Sequence, residues 1–173
     1  MISKKTNVIK SKRIYLKNFT KKNLIKRYFN WFTDDRHLKF SRHKKKNYKY
    51  AHFLNYYLSI KKAKNLFFAI YTNKKNFFFG TITANLDNEK KSADIGILIG
   101  EKKYLKKSYG TEAWKATMKH LFKYYDINEV TGGAKTKNIG MIKIFKKNKM
   151  KLRKSNLKKK TQIFFIKKND FKI

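Results

Sequence analysis

The chain has 173 residues, enough for one domain with a real core, and at 41% hydrophobic and 16% aromatic it is too apolar for a disordered segment. It has no Cys, so a disulfide scaffold and a thiolate metal site are excluded, and its 46 Lys+Arg against 10 Asp+Glu give a net charge of +36. That field attracts nucleotides, nucleic acid and other anions and leaves the fold undetermined. The longest apolar runs, Phe67–Tyr71 and Phe77–Phe79, are strand-sized, too short to cross a bilayer. Met1–Lys12 is polar, without the apolar region of a signal peptide, and His37, His43, His52 and His120 lack metal-ligand spacing. The expectation is a soluble, cytoplasmic protein with no metal, its 173 residues forming one domain.

Taken in chain order, Arg13–Phe19 alternates as a strand does, with Ile14 and Leu16 on one face. Thr20 is a candidate N-cap for a helix running to Trp31, with Leu24, Ile25, Tyr28 and Phe29 inward, before a loop at Asp34 and Asp35. Tyr48–Ala63 repeats apolar residues at helical spacing through Phe53, Leu54, Tyr57 and Ile60. Leu66–Tyr71 and Asn76–Asn85 read as a hairpin, and Ser92–Gly100 as the next strand. Tyr109–Tyr125 is the clearest helix, striped by Trp114, Met118, Leu121, Phe122 and Tyr125. Asn128–Ala134 is a strand, Asn138–Asn148 a helix, and Met150–Asn156 with Thr161–Lys168 a closing pair of strands. This order predicts an α+β fold: a mixed, mostly antiparallel central sheet flanked by helices, with a parallel contact across the Tyr109 helix.

One segment carries chemistry. A buried strand (Ile95, Ile97, Leu98, Ile99) ends at Gly100, and a polar loop leads through Lys106-Lys107-Ser108-Tyr109-Gly110-Thr111 into a helix. The first turn of a helix has unpaired N–H groups and the positive end of the dipole. Small residues feeding that turn let a phosphate approach, and Lys106 and Lys107 add charge. The competing reading is a plain strand–loop–helix in which Gly110 serves close packing. Neither the P-loop pattern nor the three-glycine dinucleotide fingerprint is present.

Asp94-Ile95-Gly96-Ile97-Leu98-Ile99-Gly100, the loop through Lys107–Ala113 and the helix after it resemble the acetyl-CoA-binding core of GNAT acetyltransferases. The resemblance continues through Glu129–Ala134, Asn138 and the helix ending Phe145-Lys146-Lys147-Asn148-Lys149-Met150, and spans Arg13 to Asn156. Trp31-Phe32-Thr33-Asp34 resembles a motif of the subgroup that holds ribosomal-protein and amino-sugar N-acetyltransferases. Four places depart from the family pattern, one of them Lys149-Met150, where the family's helix ending has Gly-Phe. Leu105 stands at the first place of the loop motif, Ser108 at its first glycine, and Phe145 where the family's usual tyrosine resembles a general acid. Ser108 is strained if its place demands a positive φ.

The resemblance implies direct attack of a neutral amine on acetyl-CoA, driven by positioning and by donors at the developing oxyanion. It assigns Ile97, Leu98 and Ile99 to the pantetheine arm, with the N–H of Leu98 or Ile99 as oxyanion donor. Leu105, Lys106, Lys107, Ser108, Tyr109, Gly110 and Thr111 fall at the pyrophosphate, Asn138 near the pantetheine or the thioester end, and Phe145 beside the cofactor. Asp94 is the nearest acidic candidate for a base, though a strand-start carboxylate facing solvent is the plainer reading. Trp31, Asp34 and His43 lie where the acceptor pocket would form. Tyr104 and Tyr109 are alternative proton donors. The expected acceptor is a small-molecule amine, an amino sugar carried on a nucleotide and so anionic. The alternatives are a protein N-terminus or ribosomal protein, and a non-catalytic nucleic-acid-binding module using lysines interleaved with aromatics. Monomer and homodimer are both open, and no membrane partner is expected.

Overall fold

The computed structural model describes residues 8–34 and 48–172. Eight strands form one sheet in the order β1-β2-β3-β4-β5-β6-β8-β7. They are β1 (Val8–Lys10), β2 (Ile14–Asn18), β3 (Leu66–Thr72), β4 (Phe78–Asp87), β5 (Ser92–Ile99), β6 (Glu129–Lys135), β7 (Lys151–Asn156) and β8 (Thr161–Lys167). Among the described residues the α-helices are α1 (Lys26–Asn30), α2 (Tyr50–Lys62), α3 (Tyr109–Tyr124) and α4 (Ile139–Lys147). All pairings are antiparallel except β5 with β6, which lie on either side of α3 in the chain and pair in parallel. The α+β architecture and the parallel contact are as the sequence predicts.

Alternation along the strands divides the core between the two faces. Ile14, Leu16, Phe68, Ile70, Phe79, Ile82, Ile95 and Val130 pack under α3 and α4, whose contributions are led by Trp114, Met118, Leu121 and Phe145. Phe67, Ala69 and Phe78, of opposite parity, pack with Phe19, Tyr28, Trp31, Phe53, Tyr57 and Ile60 beneath α1 and α2. The second layer is mainly aromatic: Phe19 stacks on Phe67 at 4.0 Å, and Tyr28 meets Trp31 edge-on at 5.7 Å.

Two elements differ from expectation. The first helix is not continuous from Thr20 to Trp31. It begins as a 3-10 turn, Lys21–Asn23, breaks at Leu24 and Ile25, and resumes as the five-residue α1. The side chain of Asn23 accepts from the backbone N–H of Thr20 at 3.0 Å, closing a local turn in place of a helical one. Ile25 is extended at φ −113° and 39% exposed, so it does not face inward. The additional strand β1, Val-Ile-Lys, is only three residues long, too short for alternation to show, and its pairing with β2 reveals it.

Candidate active site

The parallel pair holds only at Ser92–Glu129, Ala93–Val130 and Asp94–Thr131. Beyond it β5 runs on to Ile99 and β6 to Lys135 without pairing to each other. The sheet therefore opens into a wedge between these two interior strands. The bond from Gly100 N–H to the Phe79 carbonyl, 2.9 Å, fixes the alternation along β5. Gly100, Leu98 and Gly96 direct their backbone groups at β4, and Ile99 and Ile97 direct theirs into the wedge. Of the two amides expected to act as oxyanion donors, Ile99 faces the wedge and Leu98 faces Thr81.

The wedge leads to the start of α3. Leu105 is half-buried, Lys106 and Lys107 are exposed, and Ser108 is the N-cap at φ 62° and ψ 11° without a side-chain cap bond. Lys106 is left-handed too, at φ 58°. The loop thus adopts the backbone for which the family pattern has a glycine, and Ser108 carries that conformation with a side chain. The amides of Tyr109, Gly110 and Thr111 occupy the first turn, where no intrahelical acceptor exists. Gly110 is buried, and a Cβ there would lie 2.9 Å from Ile144 Cδ1 of α4. Its absent side chain therefore serves the α3–α4 packing as well.

Two cations gather at this turn that sequence spacing could not place there. Lys147, at the end of α4, donates from Nζ to Ser108 Oγ at 3.0 Å. Arg13 donates to the Lys107 carbonyl at 3.1 Å, and its guanidinium lies 4.2 Å from the centre of the Tyr109 ring. Arg13 also binds Glu112 through its backbone N–H at 2.8 Å and Nε at 2.7 Å, and Ser11 Oγ adds a bond at 2.9 Å. Burial alone would raise the Glu112 carboxyl. The hydrogen bonds from Arg13 and Ser11, with the guanidinium charge, outweigh it and hold the group below the ordinary glutamate range.

On the α1 and α2 side of the sheet, Trp31 is buried and donates from Nε1 to Glu101 Oε1 at 3.1 Å. Its ring lies so close to Gly100 that a Cβ there would sit 1.9 Å from Trp31 Cδ2. Trp31 therefore walls the end of β5 as a packed residue. Asp94, exposed at the closed end of the wedge, accepts from Thr131 Oγ1 at 2.8 Å. Asp34 is half-buried after α1, and His43 lies outside the described residues. Asn138 caps α4, its Oδ1 accepting from Met141 N–H at 3.2 Å.

Phe145 is fully buried, 5.2 Å from Trp114 and 4.9 Å from Phe164, and its ring presses on Gly132 where a Cβ would be 2.8 Å away. Phe145 is thus a packing residue of the core in this structure. Tyr104 and Tyr109 likewise pack on Phe79, at 4.4 and 5.5 Å. Among the described residues no helix is long and apolar enough to cross a membrane, and no cluster of His, Cys, Asp and Glu could hold a metal ion.

Comparison with known proteins places this geometry. The family described as "Acetyltransferase (GNAT) domain" matches residues 13–151. No curated protein matches the chain by sequence. Among solved structures, a GNAT-family acetyltransferase from Bacillus anthracis is 19% identical with a TM-score of 0.78, covering 94% of this chain and 99% of that one. RimL, a ribosomal-protein α-N-acetyltransferase in complex with coenzyme A, is 12% identical with a TM-score of 0.80, over 92% and 97% of the chains. The spermidine N-acetyltransferase of Vibrio cholerae, in complex with CoA and spermine, is 9% identical at 0.80, over 91% and 97%.

Proposed function

The chain belongs to the GNAT acetyltransferase family, which uses acetyl-CoA, and within that family we propose that it acetylates a primary amine on a small acceptor, with a nucleotide-linked amino sugar as the first acceptor class. The observation that carries the reading is the wedge between β5 and β6. A strand edge inside a sheet has backbone donors and acceptors with no neighbour, which is costly unless something extended pairs with it. The pantetheine arm of acetyl-CoA, a narrow chain with two amides, suits the edge formed by Ile97 and Ile99.

At the mouth of the wedge, the first-turn amides of Tyr109, Gly110 and Thr111 would hold the pyrophosphate, with Lys106, Lys107 and Lys147 supplying charge. Leu105 takes part through its backbone alone. Ser108 shapes the loop. Asn138 stands near the thioester end, where its side-chain N–H₂ can donate while its oxygen caps α4.

In the reaction, the amine nitrogen attacks the thioester carbonyl carbon, the C–S bond breaks and an amide forms. The N–H of Ile99 stabilises the negative charge developing on the carbonyl oxygen. Asp94, oriented by Thr131, lies five residues along β5 from Ile99, about 16 Å of extended strand, so it receives the amine proton through a chain of water. The departing thiolate takes its proton from solvent, since Phe145 has no hydroxyl and lies in the core. Trp31 and Asp34 border the acceptor side.

The preference for an anionic amino sugar rests on the Trp31–Asp34 segment together with the net charge of +36. A protein α-amine is the second reading. The structural likeness to RimL favours it, because that neighbour acts on a ribosomal protein. Thiol release with acetyl-CoA and a panel of nucleotide-linked amino sugars, N-terminal peptides and polyamines separates the two. The chain has no cysteine, so a thiol reagent reports CoA alone. Turnover with amino sugars supports the first reading, turnover with peptides alone replaces it with the second, and release that no amine accelerates removes both.

A further inference from the structure

The solvent face of α3 is a single row of lysines. From Ala113 to Lys123 the exposed residues are Lys115, Lys119 and Lys123, one per turn, and the rest of that stretch is buried or half-buried. Spacing of four residues stacks them along one line, about 6 Å apart.

Two carboxylates stand within helical reach of this row, and both are engaged elsewhere. Glu112, three residues before Lys115, gives its carboxylate to Arg13 and Ser11. Asp126, three residues after Lys123, pairs with Lys91 at 3.0 Å. None of the three lysines forms an ion pair among the described residues, and Lys123 Nζ rests 5.2 Å from the Tyr124 ring. Like charges at i, i+4 repel, so the bare row disfavours the helix that carries it. A polyanion laid along it would relieve that repulsion.

We propose that the α3 lysine row, Lys115–Lys119–Lys123, is a docking surface for the phosphate backbone of a nucleic acid. Regularly spaced point charges suit phosphates, and without exposed aromatic rings between the lysines the contact is independent of sequence. A membrane surface fits less well. Helices that bind at a lipid interface insert an apolar face, and the apolar face of α3 is committed to the core. The proposal is independent of the acetyl-transfer reading, because the row lies outside the wedge and the first helical turn.

The test is fluorescence anisotropy of labelled duplex DNA and duplex RNA against the full chain over a salt series. Lys115, Lys119 and Lys123 are changed together to Gln and compared with Lys21, Lys22 and Lys26 changed to Gln. The comparison variant loses the same charge from exposed positions in the 3-10 turn before α1 and at the start of α1, on the other face of the sheet. The expected result is that the α3 variant lowers the slope of log affinity against log salt by about 2.7, from about 0.9 per lost phosphate contact. The α1 variant should leave the slope nearly intact, and both should retain the wild-type circular dichroism. Equal loss in the two variants would reduce the effect to the overall field and overturn the proposal. So would loss of binding to anionic phosphatidylserine vesicles with nucleic-acid binding unchanged.

Discussion

Lys147 reaches from the last turn of α4 to the hydroxyl of Ser108, 3.0 Å away, and so joins two helices at the point where the backbone of α3 begins. Ser108 sits there in the left-handed region, and Lys149, two residues after Lys147, is also left-handed at φ 57°. Both positions are glycine in the family pattern that the sequence resembles. The cost of a left-handed non-glycine residue is roughly 1–2 kcal/mol. Ser108→Gly is expected to raise stability by about 1 kcal/mol and to preserve acetyl-CoA affinity. Ser108→Val, β-branched at a positive φ, should weaken both. Thermal unfolding and calorimetry report the two effects.

Lys149→Gly relieves the same strain two residues beyond Lys147, at a side chain to which no cofactor contact is assigned. It should raise the unfolding temperature by a few degrees, from about 1 kcal/mol gained, with no change in acetyl-CoA affinity. A parallel loss of affinity would show that the end of α4 is coupled to the cradle.

The contact of Gly100 with Trp31 predicts intolerance of any side chain at position 100. Gly100→Ala must displace the Trp31 ring, which is buried and hydrogen-bonded to Glu101, at a cost of about 3 kcal/mol or more. Trp31→Ala alone should cost about 3–5 kcal/mol. The double variant should be less destabilised than the sum of the singles, which a double-mutant cycle in denaturant measures.

Glu112 makes stability depend on acid. Its folded pKa lies below its unfolded one, so its contribution is fully present above the ordinary glutamate value, about 4.3. It is lost as pH falls through the folded pKa. Wild-type protein should lose stability over that interval, and Glu112→Gln, less stable at neutral pH, should lack this part of the acid dependence. Urea unfolding at a series of pH values shows whether the two curves converge in acid.

The sequence carried most of the architecture because the strongest signals were local. Alternation at Ile14 and Leu16 and the stripe Trp114–Leu121 each identify an element without knowledge of its neighbours. Asn23 and Ile25 broke the first helix through a side-chain turn that apolar periodicity does not report. The loop Lys106–Thr111 was legible as a motif. Its partners Arg13 and Lys147 were not, because they are brought to it by β2 and α4 from distant parts of the chain. Phe145 was placed by motif position alone, and its packing against Gly132, Trp114 and Phe164 was not legible there. A buried, ring-lined environment is a property of three elements together, which no single stretch of sequence encodes.

Asp94, at the closed end of the wedge, has an orienting partner in Thr131. Asp94→Asn keeps the shape and the hydrogen bond while removing the base. The expected result is a fall in kcat of about 100-fold or more, with acetyl-CoA affinity unchanged and the rise of kcat with pH altered. A variant with wild-type kcat and pH profile would return Asp94 to a structural role.

The measurement that bears most directly on the account is calorimetric titration of acetyl-CoA at low and moderate salt, with ADP titrated in parallel. A wedge that pairs with the pantetheine arm predicts one-to-one binding that keeps most of its affinity at moderate salt, and much weaker binding of ADP, which has no such arm. Weak, non-stoichiometric binding that collapses with salt equally for both ligands would contradict it, leaving only the attraction of a highly positive surface for any phosphate.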